Sequence, residues 1–232
     1  MKKLKRTLLC TASAVLCLTP ARTDILVHYA FTGGSSAPNS EWTGVDADNF
    51  VANFGVNTSA SSGDDAGFSS FSENAYIRTD ATGSTEAAAL SDDDYFSFEI
   101  SAANPGEFLN LASLVFDFGG SSGSEYDSEI YVQSSVGGFG TGNPVIFTST
   151  HTVPASSADA AGLTSGTSVD LTGFAPVETI SFQFRFSDDA GTLSQLNRLD
   201  NVILNGAVVI PEPSSLFLLS IAVLGLIFYK RK

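Results

Sequence analysis

The amino-acid sequence predicts an all-β fold, a single β-sandwich or jelly-roll ectodomain between an N-terminal signal peptide and a single C-terminal transmembrane helix. Hydrophobic residues in the central part of the chain recur with a period of two, and helical periodicity is nearly absent. Clusters of Gly, Ser, Asp and Asn separate these alternating runs. Many short strands joined by such turns are typical of sandwiches and jelly rolls.

The clearest strand is Thr179–Phe186. Ile180, Phe182, Phe184 and Phe186 alternate there with Ser, Gln and Arg, so the apolar side chains are expected to face the core. Further strands are predicted at residues 25–31, 95–100, 109–118, 129–134, 145–147 and 198–204.

Two local irregularities are also predicted. The apolar alternation of residues 109–118 changes register near Ala112-Ser113, which is typical of a β-bulge. The segment Ala81–Leu90 favours one short helical turn. No internal repeat and no Pro-rich linker divides the body, so we expect one domain.

The N-terminus has the pattern of a secretory signal peptide. Basic residues at the start are followed by the uncharged run 7–18 and by small residues up to Ala21. We expect export through the secretion translocon and cleavage by signal peptidase near Ala21. Both cysteines, Cys10 and Cys17, lie in this segment, so the mature chain is expected to have no disulfide and no thiolate site.

The C-terminus combines three features in a fixed order. A Pro-containing stretch, Pro211-Glu212-Pro213, precedes the apolar segment 216–229, and Lys230-Arg231-Lys232 ends the sequence. Cations on the cytoplasmic side of an apolar segment set a membrane orientation with the C-terminus inside. The segment is short for a membrane span, and the basic tail is what favours a span over a buried helix.

This tail resembles the PEP-CTERM sorting signal, in Pro211, Glu212 and Pro213, the apolar segment and the basic end. The resemblance implies an exosortase as processing partner, with release or transfer to the cell surface or an extracellular polysaccharide matrix. A permanent anchor with a Pro-rich stalk is the alternative. The predicted divisions are signal peptide 1–21, ectodomain 22–206, stalk 207–215, transmembrane helix 216–229 and cytoplasmic tail 230–232.

The ectodomain is strongly acidic. Residues 22–211 contain four arginines, no lysine and 24 carboxylates, which give a formal charge of −20. Such a surface repels phosphates, so nucleic acid is excluded as a partner. It favours solubility, and it is compatible with divalent cations.

The body also resembles ectodomains often attached to this signal, which are similar to jelly-roll modules of the carbohydrate-binding kind. The matching residues are Tyr29-Ala30-Phe31, Leu111–Asp117, Phe184-Arg185-Phe186 and Arg198–Leu204. The resemblance implies a structural calcium where the first and last strands meet. Asp24 and Asp200 occupy those strand ends, and carboxylate oxygens suit calcium.

Exposed aromatic residues beside polar groups would suit glycan binding. The candidates are Trp42, which lies in the polar stretch Ser40–Thr43, together with Tyr76, Tyr126 and Tyr131. A core position is the alternative for each of them, since large aromatic side chains are usually buried.

Catalysis is not favoured by any motif. The two histidines, His28 and His151, have no evident partner. Carboxylate pairs could support glycoside hydrolysis, but the carboxylates are so abundant that none stands out. We therefore expect a non-enzymatic surface or matrix protein with a structural or adhesive domain. A carbohydrate-binding module is the first alternative, and a carboxylate-based glycosidase is the second.

Overall fold

The computed structural model describes residues 23–53, 66–69, 74–77, 85–91, 94–156, 162–189 and 196–210. The predicted signal peptide, the Pro211–Pro213 motif and the apolar segment 216–229 lie outside these ranges. Within them, no helix is long and apolar enough to cross a membrane.

The described residues form thirteen strands and one short α-helix. In chain order they are β1 Asp24–Tyr29, β2 Ser40–Glu41, β3 Val45–Ala47, β4 Val51–Asn53, β5 Ala66–Ser69, β6 Asn74–Ile77, α1 Glu86–Ser91, β7 Tyr95–Ala102, β8 Phe108–Ser121, β9 Tyr126–Ser134, β10 Phe147–Val153, β11 Leu163–Asp170, β12 Thr179–Asp188 and β13 Leu196–Val209.

These strands make two antiparallel sheets that face each other, which confirms the predicted all-β sandwich. The seven-stranded sheet has the order β11-β8-β13-β1-β2, with β6 also paired to β13 and β5 paired to β6. The six-stranded sheet has the order β10-β9-β12-β7-β3, with β4 also paired to β7. Non-consecutive neighbours such as β8 and β13 show that the chain crosses between the sheets, as in a jelly roll.

The core between the sheets is built on phenylalanine. Phe182 and Phe98 pack with ring centroids 5.4 Å apart within one sheet, and Phe116 meets Phe184 of the opposite sheet at 5.3 Å. Aromatic side chains bury large apolar areas, so a domain without disulfides can still be held by its core. The fully or nearly fully buried phenylalanines are Phe31, Phe50, Phe96, Phe98, Phe116, Phe118, Phe182, Phe184 and Phe186.

The predicted irregularities are both present. The pairing of β8 with β13 skips Ala112, because Asn205 faces Ser113 and Gly206 faces Leu111, so the bulge lies where the sequence pattern changes register. Helix α1 forms the short helical turn, although it begins at Glu86 and ends at Ser91.

The sandwich has two ends, which we call upper and lower. The upper end contains the start of β13 at Leu196 and the turn between β8 and β9. The lower end contains Trp42, the turn between β7 and β8, and the last strand residue Val209, which pairs with Phe108. The sorting motif predicted from the sequence therefore follows directly from the lower end.

Candidate binding cleft on the six-stranded sheet

The outer face of the six-stranded sheet is polar because its strands alternate strictly. In β12, Phe182 and Phe184 point into the core, whereas Ser181 and Gln183 point outward. Register pairs Ser181 with Glu99 and Gln183 with Ser97 on β7. The Ser181 hydroxyl donates to the Glu99 carboxylate at 2.6 Å. This alternation produces a floor of hydroxyl, amide and carboxylate groups.

The loop between β9 and β10 folds back over part of this floor. Gln133, on β9, accepts a hydrogen bond from the Gly140 N–H at 2.8 Å and donates to the Gly140 and Asn143 carbonyls at 3.1 and 3.2 Å. Gly138, Gly140 and Gly142 all have positive φ, which glycine adopts readily. These three hydrogen bonds from Gln133 hold the loop so that Phe139 lies at the edge of the floor.

Helix α1 covers the neighbouring part of the same face. Ala89 and Leu90 of the helix pack with Tyr131 on β9 and with Val145. Arg185 on β12 donates to the Ala89 carbonyl at 3.3 Å, and its guanidinium lies 4.9 Å from the centre of the Tyr95 ring. A cation over an aromatic ring is a favourable contact when it is shielded from water. This part of the face is therefore closed.

An open cleft of about 220 Å³ remains between the loop and the opposite edge of the sheet. The volume is below the ~300–1,000 Å³ of typical small-molecule sites, so the cleft suits one part of a longer ligand rather than a whole cofactor. Val51 is 49% exposed and forms an apolar wall opposite Phe139. The lining residues are Asp48, Asn49, Val51, Ser97, Phe98, Glu99, Phe139, Ser181 and Gln183.

The described groups that line the cleft are mainly neutral or acidic hydrogen-bonding groups. Two carboxylates, Asp48 and Glu99, accept hydrogen bonds, and the Gln183 amide both donates and accepts them. Among the described residues that line the cleft there is no lysine, arginine or histidine, so these residues offer no counter-charge to an anion. Apolar walls above a polar floor allow a ligand ring to pack and its hydroxyl groups to bond.

The predicted aromatic candidates are not in this cleft. Trp42 is exposed, at 41%, but lies at the lower end of the sandwich. Tyr126 and Tyr131 are 3% and 2% exposed, so the expectation that their rings are accessible is wrong. Tyr76 on β6 is half-buried.

The two buried tyrosines have structural partners instead. The Tyr126 hydroxyl donates to the Leu196 carbonyl at 3.0 Å. The Tyr131 hydroxyl donates to the Glu129 carboxylate at 2.6 Å, and its ring lies beneath α1. Burial and the charge of Asp188 raise the pKa of Tyr126, and burial with the bond to Glu129 raises that of Tyr131. Neither ring offers a face to a ligand.

Asp24 and Asp200 cannot share a calcium ion. In the β1–β13 ladder Asp24 is opposite Gly206, six residues from Asp200, a separation of about 20 Å along the strand. Calcium–oxygen distances are only about 2.3–2.6 Å. Asp200 instead faces Asp117 on β8. Among the described residues, no group of three or more His, Cys, Asp or Glu side chains lies together as a metal site.

The histidines and several of the carboxylates considered for catalysis lie in other parts of the sandwich. His151 faces the core and packs against Phe118 with ring centroids 6.2 Å apart. The Asp127 carboxylate accepts a hydrogen bond from Thr152, and that of Asp189 accepts one from the Asp127 N–H. These contacts tie β9 to its neighbours at the upper end.

Sequence reasoning missed Phe139, Gln133 and Val51. The glycine-rich stretch Gly137–Gly142 predicts only a loop, and the lone Phe139 within it is the one local signal of packing against another surface. Gln133 and Val51 carry no local signal, since their roles depend on residues that are distant in sequence.

Solved structures that are similar to this chain include carbohydrate-binding modules. A family 29 module is 13% identical, with 80% of this chain and 91% of that chain covered and a TM-score of 0.35. A second structure of family 29 is 12% identical, with 79% and 89% covered and a TM-score of 0.33. A CBM4 structure is 11% identical, with 69% and 88% covered and a TM-score of 0.40. No curated protein matches the chain.

One family model matches, and it covers residues 209–232. It describes the PEP-CTERM protein-sorting motif. The chain therefore carries this sorting signal, as the resemblance of its tail predicted. The signal implies export, anchoring in the membrane before processing, and an exosortase as the processing partner.

Proposed function

We propose that this chain is a surface or extracellular-matrix protein, delivered by exosortase processing, in which the β-sandwich has a structural or adhesive role. The observation that carries the proposal is the position of the sorting motif. The motif begins at residue 209, where the last strand ends. Cleavage at Pro211–Pro213 would release the sandwich without removing any strand.

The physical character of the domain supports a role outside the cell. A formal charge of −20 over residues 22–211 keeps a released domain soluble and hydrated. The phenylalanine core provides stability without disulfides, so folding does not depend on the redox conditions of the compartment. Both properties suit a component that persists in a hydrated matrix.

The test is processing in a host with and without an exosortase. We expect the full chain in the cytoplasmic membrane without the protease, and a chain trimmed near Pro211–Pro213 outside the cell with it. A variant with Pro211→Ala and Pro213→Ala should stay in the membrane. Pro154→Ala, at an exposed turn, is the matched control and should be processed normally. A full-length C-terminus under both conditions would contradict the proposal.

Polysaccharide binding in the cleft is the second candidate. It is supported by the polar floor of Ser181, Glu99 and Gln183 between the apolar walls of Phe139 and Val51. A neutral sugar chain lying along the cleft would place one ring against Phe139 and its hydroxyl groups on the floor. Binding of this kind needs no cofactor. It would allow an adhesive domain to attach to polysaccharide.

Binding to neutral polysaccharides should be measured with three variants. Phe139→Ala and Gln183→Ala should each weaken binding about tenfold, corresponding to ~1.4 kcal/mol. Trp42→Ala is the comparison, because Trp42 is exposed but outside the cleft, and it should bind as the unaltered protein does. Loss of binding with Trp42→Ala alone would place the sugar site at the lower end instead.

We propose that this binding is not followed by catalysis. Incubation of the purified protein with the polysaccharides it binds should leave their chain length unchanged. Glycoside hydrolysis needs two carboxyl groups, and the cleft contains Asp48 and Glu99. Cleavage that is abolished by Glu99→Gln would therefore establish the glycosidase alternative.

A further inference from the structure

Exposed apolar side chains concentrate at the lower end of the sandwich. Among the described residues, five large hydrophobic side chains are exposed, and four of them lie toward this end. They are Ile25 at 46%, Trp42 at 41%, Val136 at 59% and Ile210 at 71%. Single exposed apolar residues need no explanation, but a group that includes a tryptophan beside the point where the chain leaves the domain does.

Trp42 is held in place beside the last strand. Its backbone N–H donates to the Leu26 carbonyl at 2.9 Å, and its carbonyl accepts from the Val45 N–H at 3.0 Å. A methyl group on Gly44 would lie 3.4 Å from Val208 Cγ2 and 3.7 Å from Trp42 Cδ1, so both side chains border the same space. The ring is therefore fixed close to Val208, two residues before Ile210.

The length of the following chain limits how far this end can be from the membrane. Only residues 211–215 separate Ile210 from the apolar segment 216–229. Five residues span at most about 18 Å when fully extended. Before processing, when the sorting signal is anchored, the lower end is therefore held within roughly that distance of the lipid.

The chemistry of the exposed group matches the membrane interface. Tryptophan is enriched at the level of the lipid headgroups, where its ring is partly apolar and its N–H remains hydrated. Glu41 and Glu178, which are exposed at or near the same end, disfavour an anionic lipid surface. The fitting partner is a zwitterionic lipid interface.

We propose that, before processing, the lower end of the sandwich docks on the zwitterionic lipid interface of the membrane through Trp42 and Ile210. The docked domain stands upright, with its upper end away from the lipid. It also places the start of the sorting signal, at Val209 and Ile210, near the membrane surface. This inference requires only the anchored form, and it is independent of what the cleft binds.

The experiment uses the only tryptophan of the chain as its own probe. The full mature chain is reconstituted in phosphatidylcholine vesicles with and without brominated acyl chains, which quench indole fluorescence on contact. Trp42 emission should fall at least about twofold with brominated lipid. In a Trp42→Phe, Gly123→Trp variant, the probe lies in the exposed turn of the upper end and should not be quenched.

A spacer separates docking from mere tethering. Insertion of about twenty Gly and Ser residues between Ile210 and Pro211 lengthens the tether without changing the domain. If the domain docks, Trp42 should remain quenched in the spacer variant. Adding Ile210→Ser to that variant should then reduce the quenching. Loss of quenching on insertion of the spacer, or equal quenching at both probe positions, would overturn the proposal. So would stronger quenching in anionic vesicles than in zwitterionic ones.

Vesicle flotation of every variant reports the anchor itself, and it is scored separately. A chain that floats but shows no quenching contradicts docking and leaves the sorting assignment unaffected.

Discussion

Gln133 and Gly140 form a two-way amide pair. The Gly140 backbone N–H donates to the side-chain Oε1 of Gln133 at 2.8 Å. The side-chain Nε2 of Gln133 donates back to the Gly140 backbone carbonyl at 3.1 Å. The side chain of Gln133 is fully buried by this pairing. One residue on the outer face of a sheet thus fixes a glycine-rich loop and sets the position of Phe139 at the cleft.

Gln133→Leu should loosen this loop. Three backbone groups lose their partner, the Gly140 N–H and the carbonyls of Gly140 and Asn143. The free energy of unfolding, measured by urea denaturation, should fall by about 1–3 kcal/mol. Polysaccharide affinity should fall with it, since Phe139 is no longer held in place. Thr150→Val, an exposed change on the same face, is the control and should leave both quantities unchanged.

Gly120→Ala should destabilise the upper end. A Cβ at Gly120 would overlap the Tyr126 hydroxyl and the Leu196 carbonyl oxygen, which are hydrogen-bonded to each other at 3.0 Å. We expect a loss of about 1–3 kcal/mol in unfolding free energy from this overpacking. Gly123→Ala has no neighbouring atom within 4 Å and should be neutral. Equal stabilities for the two variants would show that the upper end rearranges easily.

The sandwich was predictable where one face of a strand is strictly apolar. The alternation at residues 179–186 predicted both strand β12 and which of its side chains face the core. One isoleucine and three phenylalanines lie on one face, and a shift of pairing by one residue would move all four into solvent. The prediction at 145–147 was misplaced, since β10 is Phe147–Val153, and β11 was missed. Both are edge strands rich in Thr and Ser, so little apolar alternation marks them.

The cleft was less predictable because distant segments build it. The polar floor follows from the alternation of β12 and β7, and Ser181 and Gln183 were expected to face outward. The covering loop depends on Gln133, and the burial of Tyr131 depends on α1 lying across an outward position. Neither contact leaves a local pattern, which is why exposed tyrosines were expected where the structure has buried ones.

Asn201 should be sensitive to substitution in a graded way. Its backbone is left-handed, with φ of 48°, and its side chain donates to the Asp117 carboxylate at 2.9 Å, beside Asp200. Asn201→Gly keeps the backbone conformation but loses this bond to a charged group, at a cost of about 1–2 kcal/mol. Asn201→Ala loses the bond and adds strain of about 1 kcal/mol. Urea denaturation should rank the stabilities as Asn, then Gly, then Ala, and an Ala variant as stable as the Gly variant would contradict the backbone argument.

Stability should decline in alkaline solution because of three buried tyrosines. Burial is the main cause that raises the pKa of Tyr29, Tyr126 and Tyr131, and neighbouring carboxylates add to it. The folded pKa lies above the unfolded value of about 10, so folding favours the neutral phenol. This contribution is complete below pH ~10 and is lost as the pH rises from there towards the folded pKa.

Tyr126→Phe isolates one of these groups. At neutral pH the variant lacks the bond to the Leu196 carbonyl and should be less stable by about 1 kcal/mol. Above pH ~10 the unaltered protein loses roughly 1.4 kcal/mol per pH unit from this tyrosine, whereas the variant does not. The two curves of unfolding free energy against pH should therefore converge and then cross, and the curve of Thr150→Val should stay parallel to that of the unaltered protein. Parallel curves for Tyr126→Phe would mean that Tyr126 has the same pKa in the folded and unfolded chains. That result would contradict the prediction, because burial raises the pKa of Tyr126 in the folded chain.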